Sequence, residues 1–99
     1  MYYIVYYFFM EFEWDENKNE INKIKHGISF ETAALAFEDE NRVELFDKFH
    51  STLEEERFIL IGKVKGILTV IFTERKEKVR IISARIANSI EKEIYYGNR

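Results

Sequence analysis

The alternation of polar and apolar residues predicts a strand at residues 11–14, followed directly by a helix. Glu-Phe-Glu-Trp has the period of two that a half-buried strand requires. The helix begins after Asp15, a residue type that caps helix N-termini, and runs to about His26, where the next residue is a glycine that favours a stop. Ile21 and Ile24 are its apolar positions, so we expect this helix to bury a narrow stripe.

A second helix and a series of strands are predicted after residue 28. Ser29 is an N-cap candidate, and the apolar residues after it recur at helical spacing, at Phe30, Ala33, Ala34 and Phe37. From residue 42 onward β-branched and aromatic residues predict strands, with a tight hairpin at Lys65-Gly66. The predicted strands are residues 42–46, 56–64, 67–73 and 79–85.

The last predicted element is a helix that begins with a capping box. Asn88 is the cap and Glu91 stands three positions later, while Ile90 and Ile94 give the helix one apolar face. Together the patterns predict an α+β fold with two N-terminal helices, an antiparallel sheet of about four strands and a C-terminal helix.

Residues 1–9 form an apolar and aromatic leader before these elements. The leader is too short to span a bilayer, and no lysine or arginine precedes its apolar run, so it is a poor signal peptide. Three interpretations stay open: an extra strand of the sheet, a segment that a partner covers, or translation that begins at Met10. Residues 10–99 are predicted to form a single domain.

Composition narrows the class of protein. Ninety-nine residues with 46% hydrophobic content can build one core, and the lack of cysteine excludes disulfides, thiolate chemistry and zinc sites of the cysteine type. A net charge of −3 argues against non-specific coating of nucleic acid, but it does not exclude a small site for one or two phosphates. We expect a cytoplasmic protein without membrane association.

One segment departs from this acidic background. Residues 75–85 hold five cations and a single carboxylate, a local net charge of +4. Arginines on a strand are costly to bury alone, so they must face water, a carboxylate or an anion. The segment predicts either an anion-binding surface or a solvated strand face on which the cations pair with carboxylates.

Short motifs follow one another in a distinctive order along the chain. They are Phe12-Glu13-Trp14-Asp15, Lys25-His26-Gly27-Ile28-Ser29-Phe30, Glu56-Arg57-Phe58, Ile61-Gly62, Thr73-Glu74-Arg75 and Arg80-Ile81-Ile82-Ser83-Ala84-Arg85, closed by Glu91 and Tyr95. This order resembles the BrnT family of toxins over nearly everything from Met10 to Tyr96. Each motif alone is weak, whereas six in this order with matching separations are specific. The leader and Tyr96, where many relatives have an acidic residue, depart from the family pattern.

The resemblance implies a small ribonuclease of a bacterial type II toxin–antitoxin system, with a RelE-like fold, that cleaves RNA and inhibits translation. It also implies a partner similar to BrnA, an antitoxin with a DNA-binding domain, so that any contact with DNA is indirect. A dimer within the toxin–antitoxin complex is compatible with such a partner. The resemblance implies no cofactor.

RNA cleavage without a metal needs a base for the 2′-hydroxyl, cations for the phosphoryl oxygens and an acid for the departing 5′-oxygen. Arg57, Arg80 and Arg85 are candidates for the phosphate clamp, because a guanidinium group binds phosphate oxygens in a bidentate way. Arg80 and Arg85 are separated by an odd number of residues, so a regular strand would point them to opposite faces. Either a bulge or a strand end intervenes, or only one of them faces RNA.

The candidate acids and bases are His26, Glu56, Glu74 and Tyr95. Each also has a structural interpretation. His26 can be part of a helix C-terminus, Glu74 can form a cross-strand ion pair, and Tyr95 can be partly core.

Four further cations, Lys25, Arg75, Lys76 and Lys78, are candidates for contacts with the RNA backbone. Lys25 is also explained by its place in the last helical turn, and Arg75 by a charged turn. No histidine pair has metal-binding spacing, and we expect no metal site.

Two other functions stay open. The protein is a non-catalytic binding module if its basic strand face docks an acidic partner or nucleic acid without cleaving it. It is an inactive toxin relative if it acts only with a DNA-binding antitoxin in autoregulation.

Overall fold

The computed structural model describes residues 2–7 and 10–97. Met1, Phe8 and Phe9 of the predicted leader, and the last two residues of the predicted domain, lie outside the described residues. The elements in chain order are β1 (Tyr2–Tyr7), β2 (Met10–Asp15), α1 (Glu16–His26), α2 (Phe30–Leu35), a 3-10 turn (Ala36–Glu38), β3 (Val43–Phe46), β4 (Arg57–Lys63), β5 (Ile67–Arg75), β6 (Lys78–Ile86) and α3 (Ser89–Gly97).

The six strands form one mixed sheet in the order β1-β2-β6-β5-β4-β3. The predicted α+β class is confirmed, but the predicted arrangement is wrong in three respects. The sheet has six strands in place of about four, strands precede the helices, and β2 pairs with β6 in parallel, so the sheet is not purely antiparallel. Local patterns predict β2 to β6, whereas β1 lies in the leader, for which an extra strand is one of three open interpretations. The β2–β6 pairing joins residues almost 70 positions apart, such as Glu13 and Arg80, and leaves no local signal.

The main core lies between one face of the sheet and α2 with its 3-10 turn. Trp14 and Phe30 are fully buried and meet edge to face, with ring centroids 6.1 Å apart. Gly62 of β4 permits the close approach of the 3-10 turn, because a Cβ at this position would lie 2.7 Å from the carbonyl oxygen of Ala36. The predicted α2 stripe of phenylalanines and alanines is therefore the packing surface of this layer.

Helix α1 begins and ends as predicted but buries different residues. Asp15 accepts a hydrogen bond from the Asn17 N–H, and Gly27 has the left-handed φ of 71° that ends the helix. The predicted apolar stripe is wrong, since Ile21 and Ile24 are 60% and 87% exposed.

Two asparagines occupy the buried side of α1 in place of the isoleucines. The Asn22 amide donates to the Ala84 carbonyl and accepts from the Ala84 N–H, and so satisfies the edge of β6 beyond the end of β2. Asn19 similarly accepts from the Phe30 N–H at the start of α2. Helix α1 is therefore held by hydrogen bonds to backbone groups that would otherwise be buried without partners, and not by an apolar stripe.

The second face of the sheet is divided between a small core and a charged surface. Helix α3 covers the β3–β4 side, where Tyr95 packs with Val43 and Ile61. Its predicted apolar face points outward, because Ile90 is 67% and Ile94 38% exposed. The charged surface, called the open face below, consists of Glu11, Glu13, Arg57, Thr73, Arg75, Lys78 and Arg80, which share one side of β2, β6, β5 and β4.

Candidate active site

A β-bulge brings Arg80 and Arg85 to the same side of β6. Thr73 lies opposite Arg80 and Thr69 lies opposite Arg85, although the two threonines are four positions apart and the two arginines five. Ile82 is the extra residue, because the register shifts between the Ile71 and Phe72 pairs. A bulge places two residues opposite one and so shifts the alternation of side chains by one residue. Residues on its two sides that are an odd number apart therefore share a face.

Arg57 and Arg80 flank one position of the open face. Thr73 of β5 pairs with Arg80 on one side and with Arg57 on the other. The strands that carry the two arginines are therefore two strand spacings apart, about 10 Å. Arginine side chains are long enough to reach one phosphate from both sides at this separation.

Each cation of the open face is paired with a carboxylate. Arg80 donates from Nε to Glu13 Oε2 at 2.7 Å, and its Nη2 donates to the same oxygen. Two pairs along the same strands, Lys78 Nζ lies 2.8 Å from Glu11 Oε2. The solvated-face interpretation thus describes this arrangement, and any anion that binds here has to compete with these carboxylates.

Glu55 joins two of the arginines at the end of β4. Its Oε1 accepts from Arg57 Nε at 2.9 Å, and its Oε2 accepts from Arg75 Nη2 at 3.0 Å. Hydrogen bonds from Arg57 and then Arg75 lower the pKa of Glu55, against a small opposing effect of burial. The carboxylate stays ionised and holds both guanidinium groups at the rim of the open face.

Arg85 is held by a different partner, at the start of α3. Its two terminal nitrogens donate to the two oxygens of Glu91, each at 2.8 Å. Glu91 also accepts from the Asn88 N–H, while its own N–H donates to Asn88 Oδ1, so the predicted capping box is confirmed. Burial alone would raise the pKa of Glu91, but hydrogen bonds from Arg85 and the Asn88 backbone outweigh it and the pKa is lowered. Arg85 therefore fastens α3 to β6.

A basic depression of about 440 Å³ lies at the β5–β6 hairpin. It is lined by Glu13, Arg75, Lys76, Lys78 and Arg80. The two hairpin residues, Lys76 and Glu77, both have positive φ, at 48° and 70°. This backbone matches the type I′ turn that suits strand twist, although neither residue is the glycine or asparagine that such turns favour.

The predicted acids Glu56 and Glu74 lie together, in a second depression. This depression of about 580 Å³ also includes Thr73 and Arg75, so the two depressions meet at Arg75. Glu74 pairs across the strands with Val79, a core residue, and so points to the side of the sheet opposite Arg80. Among the described residues its carboxylate makes no ion pair, which differs from the cross-strand pair that the sequence allows.

The remaining predicted residues are separate from the arginines. Tyr95 is 1% exposed and its hydroxyl donates to Asp39 Oδ2 at 2.5 Å, so it is a core residue in this structure. His26 is half-buried at the end of α1, and its side chain makes no hydrogen bond or ion pair with residues 10–97. Lys25 beside it is exposed. His50, which the sequence places in a polar loop, is exposed and bonded to Asp47.

Sequence reasoning missed the carboxylates that hold the arginines. Glu11 and Glu13 occupy the polar positions of the alternating β2 pattern, and this alternation was the available signal that both face away from the core. It did not indicate which cations they meet. Glu55 stands in a loop without any periodic pattern, and no signal marked it.

Two classes of feature are not found in the part of the chain that the structure describes. No cluster of three or more histidine, cysteine, aspartate or glutamate residues is arranged to hold a metal ion there. Nor does any helix there have the length and apolarity needed to cross a membrane.

The chain is similar to known toxins in sequence and in structure. Residues 14–91 match the family model described as the ribonuclease toxin BrnT of type II toxin–antitoxin systems. The 1.1 Å crystal structure of the Brucella abortus ribonuclease toxin BrnT is 32% identical, with a TM-score of 0.54, over 77% of this chain and 94% of that protein. No curated protein matches the chain. The match over most of the chain and the shared structure show that this protein belongs to the BrnT family of ribonuclease toxins of type II toxin–antitoxin systems.

Proposed function

We propose that the protein is a metal-independent endoribonuclease whose open face binds the scissile phosphate of RNA. The register at Thr73 carries the proposal, because it sets Arg57 and Arg80 on either side of one position. Guanidinium groups bind phosphate in a bidentate way, and two of them can share the charge that develops on the phosphoryl oxygens.

The basic depression supplies the neighbouring contacts. Arg75, Lys76 and Lys78 line it beside Arg80, so they are suited to the phosphates that flank the scissile one. Attack of the 2′-hydroxyl on phosphorus leaves a 2′,3′-cyclic phosphate and a 5′-hydroxyl. Cleavage of messenger RNA by this route inhibits translation.

Arg85 has a supporting part in this proposal. Both of its terminal nitrogens are engaged by Glu91, so a phosphate would have to break a bidentate pair to reach them. Arg85 fixes α3 beside the open face as a positioning residue, while Arg80 contacts the phosphate. His26, Glu56, Glu74 and Tyr95 are not assigned to the clamp.

In type II toxin–antitoxin systems, a protein antitoxin neutralises the toxin. We infer an antitoxin similar to BrnA, with DNA contacted only through that partner and a dimer of toxins within the complex.

Growth arrest tests the proposed clamp. Induced expression without antitoxin should stop bacterial growth, and Arg80→Ala should relieve the arrest, because no other side chain replaces the guanidinium group. Arg80→Lys should relieve it in part, since lysine keeps the charge but loses the fork. Arg42→Ala is the matched control, because Arg42 pairs with Glu44 at 3.5 Å at the far edge of the sheet.

The control variant should arrest growth like the original chain. Each variant is purified and its circular dichroism compared, so that loss of toxicity is not loss of fold. Full arrest by a folded Arg80→Ala variant contradicts the clamp.

The carboxylate partners favour one second candidate function. If the pairs of Arg80, Lys78 and Arg75 never open, the chain is an inactive toxin relative that acts with its antitoxin in autoregulation. The original chain would then bind antitoxin but not arrest growth.

A further inference from the structure

We propose that Glu13 is the general base of the ribonuclease reaction, an inference that rests on the proposed function. Glu13 is the one carboxylate among the residues that line the basic depression. It stands directly opposite Arg80 in the parallel β2–β6 pair. A base for the 2′-hydroxyl has to lie within hydrogen-bond reach of the phosphate that the same residues hold.

The two oxygens of Glu13 have different surroundings. Oε2 takes both hydrogen bonds from Arg80. Oε1 accepts no hydrogen bond from any side chain of residues 10–97 or from any described backbone group. The side chain is only 11% exposed, so the free oxygen sits in a largely enclosed wall of the depression. One oxygen is thus oriented by the clamp residue while the other can receive a proton.

The other carboxylates near the open face fit this part less well. Glu91 has both oxygens bound by Arg85, and Glu55 has its two oxygens bound by Arg57 and Arg75. Glu74 points to the other side of the sheet. Glu13 is the carboxylate that combines a free oxygen with direct contact to Arg80.

Binding of RNA would bring the 2′-hydroxyl to Glu13, because Arg80, which contacts the phosphate in the proposed clamp, lies directly opposite Glu13 and holds its Oε2. The 2′-hydroxyl proton passes to Oε1, and the 2′-oxygen forms its bond to phosphorus. The bond from phosphorus to the 5′-oxygen breaks, and that oxygen takes a proton from water in the open depression.

The test compares Glu13→Gln with Glu11→Gln on one defined single-stranded RNA in EDTA. Glu11 lies on the same strand and face, and it also pairs with a cation, Lys78, but it does not line the depression. Glutamine keeps the size of the side chain and an oxygen for Arg80, but it cannot accept the proton. Single-turnover cleavage by Glu13→Gln should fall by about 100-fold or more, the usual contribution of a general base.

Binding and pH dependence separate a base from a structural residue. Affinity for an RNA with a 2′-deoxy cleavage site should not fall in Glu13→Gln, because a negative charge is removed. The original chain should lose activity as the pH falls, and Glu13→Gln should lack this acid limb. The charged groups that surround Glu13 are Arg80 and Lys78 on β6, Glu11 on β2, and Arg75 and Lys76 at the hairpin. The substitution changes none of these residues.

Glu13→Asp keeps the carboxylate, so it should retain the acid limb at a reduced rate. It also decides the matter if Glu13→Gln does not fold. A folded Glu13→Gln with the original rate overturns the assignment, and so does a folded Glu13→Asp without the acid limb, while cleavage by the original chain upholds the proposed function. No cleavage by the original chain overturns both.

Discussion

At the scale of single residues, the arginines of this toxin are held by carboxylates, and they differ in the number of carboxylate oxygens that they bind. Arg80 meets one oxygen of Glu13, whereas Arg85 meets both oxygens of Glu91. A phosphate that exchanges with the first pair leaves a carboxylate with a free oxygen beside it. A phosphate that exchanges with the second pair would also disturb the capping box of α3. The sequence shows both arginines on one strand, but their different roles follow only from the carboxylates that they bind in the structure.

Removal of the Arg85 fork should destabilise the fold. Arg85→Ala leaves Glu91 without its bidentate partner at a side chain only 14% exposed, which should lower the free energy of unfolding by about 1–3 kcal/mol. Arg42→Ala breaks an exposed pair and should cost no more than about 1 kcal/mol. Urea unfolding measures both, and equal losses in the two variants would contradict the structural part given to Arg85.

The same pair should make stability depend on pH. The pKa of Glu91 is lowered in the folded state, so its contribution is present above the ordinary glutamate pKa and is lost as the pH falls through the folded value. Stability of the original chain should therefore fall more between pH 7 and about pH 3 than that of Glu91→Gln. Parallel curves for the two proteins would show that Glu91 does not contribute.

At the scale of elements, the pattern of residues predicts strands and helix ends well and predicts their partners poorly. The caps at Asp15, Gly27 and Asn88 form as expected because they depend on a few neighbouring residues. The odd spacing of Arg80 and Arg85 makes a bulge one alternative, but nothing in the sequence places it at Ile82, where it decides which face Arg85 occupies. The burial of Asn22 in place of Ile24 follows from an unpaired strand edge, which only the tertiary structure reveals.

The β5–β6 hairpin carries backbone strain that one substitution should relieve. Glu77 has a φ of 70°, a conformation that costs an L-residue other than glycine about 1–2 kcal/mol. Glu77→Gly should raise the melting temperature by about 4–8 °C for each kcal/mol gained.

Lys65→Gly in the neighbouring hairpin is the control. Lys65 is not one of the described residues with a positive φ. Glycine there adds only flexibility to the unfolded chain and should lower the melting temperature. A lower melting temperature for Glu77→Gly would contradict the strain at this turn.

At the scale of the whole molecule, a chain of net charge −3 presents one basic depression at the end of its sheet. The sequence predicts this segment because the cations are adjacent along β5 and β6. It does not predict that β2 returns beside β6 and adds Glu11 and Glu13 to the same surface. The result is a face of paired charges in place of a uniformly positive surface, and in the proposed clamp a phosphate takes the place of a carboxylate.

Cleavage of a defined RNA in EDTA by the purified chain, free of antitoxin, is the most direct measurement. The original chain should leave 2′,3′-cyclic phosphate and 5′-hydroxyl ends, and folded Arg80→Ala should leave the RNA intact. Cleavage that disappears in EDTA and returns with a divalent cation would contradict metal independence. Cleavage by Arg80→Ala at the original rate would contradict the phosphate clamp of the open face.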